Sequence, residues 1–87
     1  MSSFSLKIVT PEKLQFDGQA EKLIVRTVTG DLGILPGHVD VVAPLGKGTA
    51  VVVSDGQRRT AACEGGLLSL VKGEATLVAT TFDWNEK

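Results

Sequence analysis

The chain has 87 residues, 43% of them hydrophobic and 22% charged, and a formal net charge of −1. That length fits one small domain spanning 1–87, and the near-neutral balance argues against a duplex-binding protein, which needs clustered cations to displace counterions. Cys63 is the single cysteine, which rules out an internal disulfide or a cysteine zinc cluster; it reads as a small buried apolar side chain in a reducing cytoplasm.

The opening stretch, MSSFSLKIVT, lacks the basic region and long apolar core of a signal peptide. In it Phe4, Leu6 and Ile8 alternate with Ser5, Lys7 and Val9, the pattern of a half-buried strand. PEKLQ, 11–15, is the one place where a helical turn fits. A second strand is expected over 21–28, EKLIVRTV, which is rich in β-branched residues. GDLGILPGH, 30–38, then reads as a loop in which glycines and a proline hold Leu32, Ile34 and Leu35 beside Asp31 and the single histidine, His38. Leu35 is expected in the core; Leu32 and Ile34 stay open between the core and a docking surface. Segment 39–45, VDVVAPL, is a strand ending near Pro44.

Two hairpins follow. TAVVVS and RRTAAC flank Asp55-Gly56, and LLSLV and ATLVAT flank Lys72-Gly73; both turn pairs suit tight reversals. Residues 82–87 read as a short polar tail beyond the last strand. No apolar run nears the ~18 residues that span a bilayer, since VVAPLGKGTAVVV is broken by Pro44, Gly46, Lys47 and Gly48. Any membrane association is expected to come through a partner. The fold class expected is all-β: a flattened antiparallel β-sandwich or barrel of short strands, with no substantial helix.

Reactive chemistry is hard to find. PLGKGT lacks the spacing of a phosphate loop, and the glycines of 30–37 are followed by no helix to aim amides at a phosphate. His38 has no candidate nucleophile near it in sequence, and the acids are scattered toward turns. Aromatic residues are 5% and the pair Arg58-Arg59 stands alone, a poor match for single-strand nucleic-acid binding. A lipoyl or biotinyl carrier domain, with Lys72 as the swinging lysine at a hairpin tip, is the alternative reading, although the residues around Lys72 resemble neither carrier signature.

Three stretches in order, LKIVTPEKLQFDGQAEKLIV, GDLGILPGH and EGGLLSLVKGEATLVA, resemble the epsilon subunit of bacterial F-type ATP synthase (the delta subunit of the mitochondrial enzyme). The likeness runs through nearly the whole chain. It implies a β-sandwich at the foot of the central stalk that performs no chemistry, touches the gamma subunit and the polar loops of the membrane c-ring, and turns with them. The c-ring interface it implies is Thr29, Gly30, Asp31, Leu32, Gly33 and Ile34, with Asp31 as the main polar contact. The gamma interface it implies is Thr10, His38 and Ala43. The chain has Thr29 where family members often carry an acid, and His38-Val39-Asp40-Val41 where they carry H-A-P-L. No cofactor, metal, bound nucleotide, nucleic acid, small-molecule substrate or direct membrane insertion is implied, and the location would be peripheral, on the cytoplasmic face of the bacterial inner membrane. Family members commonly continue into a helical hairpin that brakes hydrolysis; this sequence stops before it, so no such brake and no nucleotide binding are expected.

Overall fold

The computed structural model describes residues 2–85. Among them eight strands follow one another: β1 (Phe4–Val9), β2 (Leu14–Ala20), β3 (Lys22–Thr27), β4 (Gly30–Ile34), β5 (Val41–Pro44), β6 (Lys47–Ser54), β7 (Gln57–Val71) and β8 (Glu74–Trp84). The ladder runs β2-β1-β8-β7-β6-β3-β4, with β5 joined to β7. β6 pairs with Gln57–Glu64 of β7, whereas β5 pairs with Leu67–Leu70. β1 pairs with β8 only along Glu74–Val78. The two long strands therefore pass from one layer to the other. The first layer holds β2, β1, the start of β8, the end of β7 and β5; the second holds the end of β8, the start of β7, β6, β3 and β4. Leu6, Ile8, Leu68 and Leu77 from the first and Leu23, Val25, Ile34, Val52 and Phe82 from the second share one core.

The crossing needs a change of phase. Ala61 and Cys63 are buried before it and Leu68 and Leu70 after it, and on β8 Phe82 faces inward on one side of it while Ala75, Leu77 and Ala79 do so on the other. Along the chain, odd-numbered residues thus give way to even-numbered ones on β7, and again on β8. Gly65 and Gly66, at φ 71° and 106°, make the switch. A Cβ on Gly65 would sit 2.9 Å from Thr80 Oγ1, and one on Gly66 would overlap the Val78 carbonyl. Glycine is required where a backbone takes these dihedrals at such close approach.

Both hairpin turns form as their residues suggest. Asp55 (φ 53°) and Gly56 (φ 72°), and likewise Lys72 (φ 51°) and Gly73 (φ 78°), carry the two positive dihedrals of a type I′ turn. A carboxylate reaches each turn from another part of the chain. Glu21 Oε1 accepts from the Gly56 N–H at 3.2 Å, and Asp40 Oδ1 accepts from the Lys72 N–H at 2.8 Å.

Five expectations change. The pairing of β1 with β8 is parallel, within an otherwise antiparallel ladder. PEKLQ is a bend at 11–12, with Leu14 and Gln15 already in β2; β2 pairs antiparallel with β1 and sets Phe16, Gly18 and Ala20 opposite Ile8, Leu6 and Phe4 on the same face of the sheet. The first half of GDLGILPGH is strand β4, not loop. RRTAAC and LLSLV are two parts of the one strand β7. Phe82–Trp84 continue β8 rather than trailing from it: Phe82 is buried, and Trp84 packs edge-to-face on it with ring centroids 4.9 Å apart. Asn85 is held too, its N–H donating to the Thr60 carbonyl at 2.9 Å, and the last two residues of that tail, Glu86 and Lys87, lie outside the described residues.

Candidate functional site

The hairpin β3–β4 projects the glycine-rich segment. Thr27, buried at the top of β3, organises its tip: Oγ1 donates to the Gly30 carbonyl at 2.7 Å and accepts from the Thr29 N–H at 3.2 Å. The Thr29 hydroxyl lies 3.2 Å from that of Thr27. Asp31 stands opposite Arg26 on the neighbouring strand, and Oδ1 lies 3.2 Å from Arg26 Nε. The stem of Arg26 covers Gly48, where an added Cβ would come within 2.7 Å of Arg26 Cβ.

Alternation along β4 decides which apolar side chains face water. Ile34 is fully buried, Leu32 is half-buried against the core, and Leu35 is 55% exposed. The expectation for Leu35 is therefore reversed: the strand turns Ile34 inward, so the next residue turns outward. After it, the His38 N–H donates to the Leu35 carbonyl at 3.0 Å. Pro36 and Gly37 (φ 85°) occupy the middle of this type II turn, the second of them at the position where glycine is favoured. His38 Nδ1 lies 2.6 Å from the carbonyl oxygen of Val39, a purely local contact.

A second surface lies on the outer face of the first layer. Its register places Pro44 opposite Leu67, Leu67 opposite Val78, Val78 beside Val9, and Val9 opposite Leu14. One apolar row thus crosses five strands, β5, β7, β8, β1 and β2, with Leu14, Leu67 and Val78 each about half exposed. Val42 and Val71 add exposed apolar area on the β5 side. Where the row passes Val9 and Val78 it borders a shallow hollow of about 320 Å³, lined also by Thr10, Pro11, Gly66 and Thr80.

The residues singled out from sequence fall around these two surfaces. Thr10 follows Val9 and Ala43 precedes Pro44, so they flank the apolar row near its two ends, while His38 sits in the turn leading to β5. Thr10 is itself buried, its hydroxyl 3.2 Å from the Lys13 carbonyl; it shapes the β1–β2 turn. Ala43 is half-buried between the exposed Val42 and Pro44. Sequence reasoning missed Leu67, Val78, Val42 and Val28, the last 65% exposed at the β3–β4 tip. The signal was present in LLSLV and ATLVAT: strands apolar on both faces have a second face to cover.

Among the described residues no group of three or more His, Cys, Asp or Glu side chains could hold a metal ion. No described helix is long and apolar enough to cross a membrane. Cys63 is buried, and burial pushes its thiol pKa up, making it a poor nucleophile.

Fold and surfaces together define a small β-sandwich with an exposed apolar row on one outer face and a projecting glycine-rich hairpin. Residues 3–85 match the ATP synthase, Delta/Epsilon chain, beta-sandwich domain, and the chain belongs to that family. It is 34% identical over 87 residues to an ATP synthase epsilon chain of Caldicellulosiruptor bescii, covering all of this chain and 64% of that one. With the epsilon chain of Bacillus velezensis identity is 42% over 79 residues, covering 91% of this chain and 60% of the relative. The chain thus spans somewhat under two thirds of these relatives' length. Its fold recurs in a Euglena gracilis mitochondrial ATP synthase structure containing OSCP, F1 and c-ring, with a TM-score of 0.89, 18% identity, and coverage of 97% of this chain and 54% of that one. A Tetrahymena thermophila mitochondrial ATP synthase central stalk and c-ring structure gives a TM-score of 0.77 at 12% identity, covering 90% and 63% of the two chains. The carrier alternative at Lys72 finds no support, since the whole β7–β8 hairpin falls inside the family match.

Proposed function

We propose that this chain is a non-catalytic rotor part of an F-type ATP synthase, seated on the cytoplasmic side of a bacterial inner membrane between the gamma subunit and the c-ring. The apolar row Pro44–Leu67–Val78–Val9–Leu14 is the gamma-facing surface, bordered by Thr10 and Ala43 and approached by His38. The hairpin tip and β4, Thr29 to Ile34, face the ring. The observation that carries the reading is the row itself: contiguous apolar area across five strands of a small domain marks an interaction site. Stiffness suits the role, because a hairpin already ordered by Thr27 loses little entropy on docking.

The test is reconstitution of a bacterial ATP synthase depleted of its own epsilon chain. Adding this chain together with the matching gamma subunit should restore co-purification with gamma and ATP-driven proton pumping. Failure to bind gamma and failure to restore pumping would sink the assignment.

A further inference from the structure

Of the residues read as ring-facing, few have a side chain left to offer. Gly30 and Gly33 have none, Leu32 and Ile34 face the core, Asp31 is paired with Arg26, and the Thr29 hydroxyl lies beside that of Thr27. What the segment does present is main chain. Thr27 and Gly30 close the two-residue turn, so as a pair they exchange hydrogen bonds across the ladder. Counting along in steps of two, Val25 with Leu32 and Leu23 with Ile34 do the same. The Gly46 N–H donates to the Arg26 carbonyl at 2.9 Å, which puts the even-numbered residues of β3 on the β6 side, as this phase requires. Asp31 and Gly33 must then turn their N–H and C=O groups away from β3. β4 ends the ladder, so on that side no described strand receives them.

The sheet face beside this edge is bare as well. Nothing lies within 4 Å of where a Cβ would stand on Gly30 or Gly33, and a glycine inside a strand suits a site where another backbone comes close. Exposed edges are usually blunted by charge, but here the one acid is neutralised by Arg26. Exposed Val28 at the tip and Leu35 at the base give apolar contacts at either end.

We propose that the c-ring is held by strand addition: an extended segment of a ring-subunit loop pairs with β4 through the N–H and C=O groups of Asp31 and Gly33, and its apolar side chains rest on Val28 and Leu35. This rests on the ring-facing reading above, and specifies main chain rather than side chain as what is recognised.

Hydrogen exchange on the assembled ATP synthase, compared with the free chain, tests it. In the free chain the amides of Asp31 and Gly33 should exchange fast and those of Leu32 and Ile34 slowly. In the complex the first two should slow at least about tenfold, as a formed hydrogen bond requires. Gly33→Pro removes one outward N–H and leaves the bonds to β3 in place; it should weaken ring binding about tenfold, while Gly33→Ala, which keeps the N–H, retains more of it. Both variants should melt near the parent. A chain that assembles on the ring while Asp31 and Gly33 exchange as fast as before overturns strand addition and leaves the ring-facing reading intact. A chain that never engages the ring overturns both. A dimer of the chain alone that Gly33→Pro abolishes assigns the edge to a second copy and overturns the proposal.

Discussion

Replacing Gly66 with alanine is the sharpest test of how the fold is built. The added Cβ would overlap the Val78 carbonyl oxygen, and would lie 2.8 Å from the carbonyl carbon and 2.9 Å from Ala79 Cα. These atoms belong to a strand paired on both sides at that level, so they have little room to yield. A side chain forced into a sparsely populated backbone region costs roughly 1–3 kcal/mol. Pushing β8 aside adds an overpacking cost of about 1–3 kcal/mol. A domain of this length holds only about 4–13 kcal/mol in total, at roughly 0.05–0.15 kcal/mol per residue. With about 4–8 °C lost per kcal/mol, the variant should melt at least about 10 °C below the parent, followed by circular dichroism. Gly37→Ala is the comparison: its φ of 85° is also positive, but nothing lies within 4 Å of the new methyl. It should lose less than half as much. A Gly66→Ala protein that melts within about 2 °C of the parent, or no lower than Gly37→Ala, would refute the crossover account.

Other outcomes follow from single contacts. Thr27→Val keeps the shape but removes the hydroxyl that serves Gly30 and Thr29; the partners left behind should cost about 1–3 kcal/mol, read from urea denaturation. Asp31→Asn breaks an ion pair whose two side chains are each more than half exposed, so the melting temperature should move by no more than a few degrees, in line with the roughly 0–1 kcal/mol of surface pairs. Cys63 should resist thiol reagents until the domain unfolds. Its folded pKa is raised above the ordinary 9.0 by desolvation, so its contribution to stability is complete below that value and is lost as pH rises through the folded pKa; denaturation midpoints between pH 8 and 10.5 should fall less in Cys63→Ala than in the parent.

Much of this architecture is readable from residue pattern, and the failures have physical causes. Period-two alternation exposes β1, and Asp55-Gly56 and Lys72-Gly73 mark the hairpins because two adjacent positive dihedrals suit few other residues. LQFDGQA does not look like a strand, since its inward positions are Phe16, Gly18 and Ala20 and two of the three are small. It is held by its pairing to β1, a tertiary effect. Gly65-Gly66 resembles a break between strands, but here two glycines let one strand change layer. The β4 segment hides behind Gly30 and Gly33, yet Leu32 and Ile34 already alternate, and carrying that alternation one step further places Leu35 outside. The apolar row could not be read at all without register, because Pro44, Leu67, Val78, Val9 and Leu14 come from five different strands.

Calorimetric titration of purified gamma subunit into this chain bears most directly on the claim that the domain works by docking through its apolar row. Leu67→Asp and Val78→Asp together place two carboxylates in the middle of that row, both at positions already half in water; the fold should survive, with a melting temperature lowered by the repulsion of two like charges directly opposite each other. Binding should weaken at least about a hundredfold, as expected when charge enters the desolvated centre of an interface. Unaltered affinity in the folded double variant, or no detectable binding by the parent chain, would contradict it.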